Sequence, residues 1–299
     1  MTTSWLEETL DRLGRRPVCG YYAGGPAAVE PTALAAMALV GHGRVHAADA
    51  ALEWLVNLQS DRGSLGIDKQ HWTPCWPTGW AVLAWQAATP PQSSKDARAT
   101  SPWSGAAGRA VAWLLATKGT AERNNAVMGH DTTLQAWPWV EGTHSWVEPS
   151  AIGLLALKSS GHAQHPRSRE AVRLLMDRML PSGGWNQGNK IVMGRVLRPQ
   201  VQPTGLALAA LAGEAEAADH VRRSLGYLDR AVLAPLSPAS LSYALVGMAA
   251  HGRSPADAGQ RLAAAAADAL GHDAPPYPLA LAALAALGAD CPYLRAAKA

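Results

Sequence analysis

The 299-residue chain is 48% apolar, enough to bury a core in one large domain or two ordinary ones, so length alone leaves the domain count open. Its net charge is only +3, with acidic and basic residues interspersed, which gives no electrostatic footprint for nucleic acid. No run of 18 or more apolar residues would form a transmembrane helix, and three widely spaced cysteines, Cys19, Cys75 and Cys291, argue against a disulfide framework.

Alanine and leucine dominate the periodic stretches, which favours helix over sheet. Residues 4–15 read as an amphipathic helix, with Ser4 and Glu7 at capping-box spacing. This segment lacks the apolar core of a signal peptide, and the protein is expected to be soluble and cytoplasmic. Next, Glu30-Pro31-Thr32 opens an apolar run, and the pattern returns at Trp76-Pro77-Thr78, Glu148-Pro149-Ser150, Gln202-Pro203-Thr204, Ser237-Pro238-Ala239 and Tyr277-Pro278. Most of these runs end near a glycine, and proline suits a first helical position because its missing N–H would have no intrahelical partner. Apolar residues cover most of each helix's circumference, so six buried inner helices are predicted.

A charged, amphipathic helix precedes each one, over 4–15, 47–59, 105–118, 168–180, 215–230 and 255–270. Alternation of this kind is the mark of helix pairs that bury one another by repetition. Successive prolines are spaced by 46, 72, 54, 35 and 40 residues, too irregular for a plain solenoid. A closed ring forming one domain over 1–299 fits better. Connections into the inner helices are about 15, 17, 30 and 22 residues in the first four repeats and about 7 in the last two. Long loops in a compact domain usually carry function, so the rim with the prolines is the predicted active face.

Two repeat segments carry a resemblance. One is Trp54-Leu55-Val56-Asn57-Leu58-Gln59-Ser60-Asp61-Arg62-Gly63, and Leu180-Pro181-Ser182-Gly183-Gly184-Trp185-Asn186 occupies a later loop. They resemble the repeats of protein prenyltransferase beta subunits and squalene-hopene cyclases, within the terpenoid cyclase and protein prenyltransferase toroid superfamily. The resemblance covers nearly the whole chain and implies an all-α (α/α)6 toroid, a closed barrel of six inner and six outer helices around a central cavity. The repeat signature is split, since Leu65 follows Gln59 and Gly63 where tryptophan belongs, and Met179 precedes Gly183 and Trp185 where glutamine belongs. The family's Asp-x-Asp-Asp acid, Asp-Asp-x-x-Asp magnesium and Asp-x-Cys zinc motifs are absent, as are the thioester and zinc motifs of related toroids.

Candidate acids are Glu30 and Glu148, each directly before an inner-helix proline, and Asp131 in the longest loop. For the two glutamates the competing reading is a helix N-terminal carboxylate favoured by the helix dipole. The readings predict opposite pKa shifts, because a cap stabilises the anion whereas an acid needs burial that stabilises its neutral form. Substrate contacts are expected from Trp76, Trp137, Trp139, Trp146 and Trp185, whose indole faces suit a cation or an apolar chain, and from His144. His71, Lys190 and Arg195 lie on the same loops, and converging helix N-termini would join them in holding a diphosphate. No cofactor is expected. Asp68, His71 and Cys75 supply three zinc-ligand types but in no established spacing, so zinc, like magnesium, finds no recognised site.

The leading expectation is a cyclase- or prenyltransferase-like enzyme holding an isoprenoid or similarly long apolar substrate in the central cavity. The alternatives are a non-catalytic toroid binding a lipid or protein partner, and a glycan-processing toroid whose paired carboxylates flank a cleft.

Overall fold

The computed structural model describes residues 4–89, 101–123, 126–273 and 275–297. Most of the connection predicted over 88–104 lies outside them. In chain order the α-helices are α1 (Ser4–Arg15), α2 (Val29–Gly41), α3 (Val45–Leu58), α4 (Pro77–Ala87), α5 (Ser104–Ala116), α6 (Val147–Ser159), α7 (Pro166–Arg178), α8 (Val201–Ala210), α9 (Ala218–Ala231), α10 (Pro238–Ala249), α11 (Ala258–Gly271) and α12 (Pro276–Ala286). Two two-residue strands, β1 (Ile191–Val192) and β2 (Arg195–Val196), form a hairpin between α7 and α8. Among the described residues no helix is long and apolar enough to cross a membrane.

The alternation of helix types follows from composition. Odd-numbered helices bury one face, as α7 does with Ala171, Val172, Leu174 and Leu175, whereas α2 is buried along its length from Val29 to Val40. Four inner helices start earlier than predicted: α2, α6 and α8 begin at a valine and α12 at Pro276, with Pro31, Pro149, Pro203 and Pro278 third in the helix. Proline is tolerated there because none of the first four N–H groups has an intrahelical acceptor.

Each inner helix packs on the next, α2 on α4, α4 on α6, α6 on α8, α8 on α10 and α10 on α12, and α12 packs on α2. The approach of α8 to α10 is close enough that a Cβ on Gly205 would lie 2.1 Å from the Tyr243 carbonyl oxygen. At the far end of the helices, side chains staple these seams to neighbouring carbonyls. His42 Nε2 lies 2.8 Å from the Ala283 oxygen, His251 Nε2 lies 2.9 Å from that of Leu208, and Lys158 Nζ donates to Ala210 and Ala212. Glu214 neutralises the buried Lys158 at 2.6 Å.

The chain end turns back between the inner helices. A 3-10 segment, Pro292–Ala297, packs against α2, α4, α6 and α8. Tyr293 and Leu294 are buried there, and the Tyr293 ring meets Trp80 edge-on at 5.6 Å. The space expected as a deep central cavity is therefore occupied in part by the protein's own side chains.

Four of the six loops are tied to the inner helices by one repeated device. The hydroxyls of Thr32, Thr78, Ser150 and Thr204, each following an inner-helix proline, accept from the backbone N–H of Cys19, Leu65, Trp137 and Trp185 at 3.1, 2.9, 3.2 and 2.9 Å. Each hydroxyl donates back to the carbonyl of the same loop residue at 3.0 to 3.3 Å. All four side chains are fully buried, so an apolar replacement would strand the loop N–H without water, while each carbonyl would keep a second, backbone donor.

Candidate active site

The repeat places the residue before each inner-helix proline at the N-terminal end of its inner helix. These residues are Glu30, Trp76, Glu148, Gln202, Ser237 and Tyr277, and five of them form a connected polar collar. The Tyr21 hydroxyl donates to Glu30 Oε2 at 2.7 Å, and Trp76, Trp80 from within α4, and Tyr277 turn their polar groups toward the same carboxyl. Gln202 Nε2 reaches Glu148 Oε2 at 3.5 Å, and Gln187 Nε2 from the α7–α8 loop donates to Oε1 at 3.1 Å. Tyr277 links the two sides, since the charges of both Glu30 and Glu148 act on it. Its hydroxyl lies 3.2 Å from that of the buried Tyr243, and its ring lies 5.2 Å from Tyr21. Ser237 instead caps α10 by accepting from the Ser240 N–H.

Glu148 is 5% exposed and Glu30 is 8% exposed. Burial pushes Glu148 up to about 7; the amide of Gln187 opposes this, the charge of Glu30 reinforces it, and Gln202 opposes it weakly. Burial also raises Glu30, opposed in part by the Tyr21 hydroxyl and by the polar groups of Trp76, Trp80 and Tyr277. Neither side chain caps its helix. The helix-cap reading required lowered carboxyls, and the raised direction at both residues does not match it. Like charges in one low-dielectric site do not ionise together easily. Burial therefore favours the neutral form of both carboxyls, and Glu148, pushed up to about 7, holds its proton well above the ordinary carboxylate range.

The other expected site residues divide sharply. Asp131 is not an acid of this kind. Its Oδ1 accepts from the Thr133 N–H and hydroxyl, bonds that hold its carboxyl below the usual range, because the residue closes its own loop turn. Trp137 and Trp185 are core residues and not pocket lining. Their indole N–H groups donate to the Leu114 and Leu175 carbonyls, and Arg167 lies 4.7 Å over the Trp137 ring. Trp76 does reach the collar, and Trp139 meets it edge-on at 4.9 Å. His144 and Trp146 line a neighbouring loop cavity of about 170 Å³ with His130 and Arg178, where His144 pairs with Glu122 at 3.3 Å.

The expected cationic holder of a diphosphate is not assembled at the collar. His71 is exposed and paired with Asp68 at 3.0 Å, Lys190 donates to the Asp177 carbonyl at 2.7 Å, and Arg195 is exposed on the hairpin. The zinc trio also fails to converge. Cys75 is buried, its Sγ directed at the Leu65 carbonyl, and burial pushes its thiol up to about 12. Among the described residues no group of three or more histidines, cysteines, aspartates or glutamates is placed to hold a metal.

Tyr21, Gln187 and Tyr277 were not foreseen as site residues. Tyr277 was within reach of sequence reading, because it occupies the pre-proline register that singled out Glu30 and Glu148. Tyr21 and Gln187 sit on loops and carry no such mark.

No family model matches the chain, and no curated protein matches it. Among solved structures, it is similar to a protein from Actinoplanes, at 16% identity over 98% of this chain and 100% of that one, with a TM-score of 0.55. It is also similar to a variant of a reducing-end-xylose releasing exo-oligoxylanase, at 12% identity over 98% and 94% of the two chains, with a TM-score of 0.58. A further structure of such an exo-oligoxylanase matches over the same shares at 12% identity and a TM-score of 0.54. At these identities the likeness is one of helical fold alone.

Proposed function

We propose that the six helix pairs close into a single (α/α)6 toroid and that its collar is the active site of a glycan hydrolase. The observation that carries this reading is the coupled carboxyl pair, with Glu148 raised to about 7 beside the hydrogen-bonded Glu30. Hydrolysis of a glycosidic bond calls for two carboxyl groups in opposite protonation states. Glu148 gives its proton to the glycosidic oxygen as the bond to the anomeric carbon breaks. Glu30 takes a proton from the water that attacks that carbon, so one water is consumed per bond. Tyr21 and Tyr277 hold Glu30 in place, and the faces of Trp76, Trp139 and Tyr21 offer stacking surfaces for sugar rings.

Two observations weigh against the isoprenoid expectation. A long apolar chain needs a deep apolar well, but Trp80, Tyr243, Tyr293 and Leu294 are packed inside the ring. The collar itself is lined by hydroxyl, amide and carboxyl groups, which suit a polyhydroxylated substrate. The likeness of fold to an exo-oligoxylanase adds weight to the glycan reading.

The test is incubation of the purified chain with a panel of neutral and acidic oligosaccharides, with new reducing ends followed by mass spectrometry. Cleavage that is lost in Glu148→Gln and in Glu30→Gln is the expected result. No cleavage of any glycan, together with turnover of a prenyl diphosphate or squalene-type polyene, would overturn it in favour of the cyclase reading.

A further inference from the structure

Among the described residues the α7–α8 hairpin forms the one two-stranded sheet. Its strands pair in antiparallel register, Ile191 with Val196 and Val192 with Arg195, which leaves Met193 and Gly194 as a two-residue turn. Both turn residues have positive φ, +49° for Met193 and +72° for Gly194. Turns of this hand favour asparagine, aspartate or glycine at the first position, because a longer side chain is strained there. Here the position holds methionine, and its side chain packs on nothing: Met193 is 99% exposed. Neither turn geometry nor core packing accounts for it.

The apolar surface continues from the tip. Val196 is 57% exposed, Val192 41% and Leu197 36%. The base, by contrast, is anchored. Ile191 lies against Gly129, Lys190 Nζ donates to the Asp177 carbonyl, and the Leu197 N–H donates to the Lys190 carbonyl at 2.9 Å. An apolar tip is therefore presented on a fixed stem.

Within the loop the charges have one sign. No aspartate or glutamate occurs between Asp177 and Glu214 in the sequence, and Arg195 and Arg198 are exposed beside the tip, while Lys190 is held at the base against Asp177 of α7. An apolar tip flanked by two exposed cations matches a surface that has anionic head groups above a hydrocarbon layer.

We infer that the hairpin docks the protein on an anionic lipid surface, with Val192, Met193, Val196 and Leu197 entering the interface and Arg195 and Arg198 meeting the head groups. The inference rests on the hairpin alone and is independent of the hydrolase reading.

Co-sedimentation of the full chain with vesicles tests it. About tenfold more protein should sediment with phosphatidylglycerol–phosphatidylcholine vesicles than with phosphatidylcholine alone, and about 1 M salt should remove the difference. Met193→Asn suits the turn better, so it should raise the melting temperature while reducing binding to the anionic vesicles by about tenfold. This pairing separates lost binding from lost folding. Equal sedimentation of the unmodified chain with both vesicle types would overturn the inference. So would undiminished binding by Met193→Asn, or a dimer that this substitution dissociates, which would make a second copy the occupant of the tip.

Discussion

The first four repeats and the last two solve the same packing problem in different ways. In the first four, a loop of 15 or more residues precedes the inner-helix proline, and a Thr or Ser directly after that proline ties the loop down with a buried two-way hydrogen bond. In the last two, Ala239 and Leu279 occupy that position and the connections are short. A short connection holds its own geometry, whereas a long one must be held by side chains. Both collar carboxylates, Glu30 and Glu148, belong to tied repeats, as do Trp76 and Gln202. The untied repeats supply support, through Tyr277 and the Tyr243 beneath it. The proposed chemistry and the loop anchoring therefore fall in the same four repeats.

The largest effects should test that division. Glu148→Gln, in a tied repeat, should lower glycan hydrolysis by about 10²- to 10⁴-fold, the range for loss of a general acid. Ser237→Ala, at the same register in an untied repeat, should leave turnover within about twofold, because Ser237 caps its helix instead of facing Glu148. Equal losses in the two variants, measured by steady-state kinetics, would break the comparison.

A somewhat smaller effect concerns stability and pH. Below pH 4.5 Glu148 carries its proton in both the folded and the unfolded chain, and between 4.5 and about 7 only the unfolded chain has released it. Folding stability should accordingly fall as pH rises through that window, by about 3 kcal/mol for a shift of this size. The raised Glu30 acts in the same direction. Urea melts from pH 4 to 8 should show the fall in the unmodified chain and a shallower one in Glu148→Gln.

Next come the tied loops themselves. Thr78→Val and Thr204→Val keep the side-chain shape but leave the buried N–H of Leu65 or Trp185 unpaired, so each should cost about 2 kcal/mol in urea melts. Ser237→Ala should cost about 1 kcal/mol, the usual worth of a helix cap. If the threonine variants cost no more than the cap, the hydroxyl bonds do not hold the loops.

Much of this was legible in the sequence. Inner and outer helices follow from apolar periodicity, and the proline register found Glu30 and Glu148 because a repeat returns equivalent residues to equivalent places. The tied loops were legible in principle, as Pro-Thr or Pro-Ser after every long connection. Periodicity could not say which loop tryptophans are core. Trp137 and Trp185 look like pocket residues until their N–H groups are seen bonded to Leu114 and Leu175. Asp131 failed for a similar reason, since a loop carboxylate that closes its own turn resembles a free one in one dimension.

The split repeat signature has a comparable explanation. Gln59 donates to the carbonyls of Gly63 and Ala106, tying a loop to the next outer helix, while Trp185 is bonded to α7. These residues hold repeats together, which is why their presence predicted fold and not reaction.

By itself the sequence determined the number, type and order of the helices, because burial of an apolar face depends on local periodicity. It also determined that two carboxylates and four other chosen residues would occupy one register. Only the tertiary structure decided that the carboxylates are buried together instead of capping their helices, and that Tyr293 and Leu294 pack between the inner helices. A carboxyl's charge state depends on the groups brought around it from other repeats, and those distances exist only once the helices have packed.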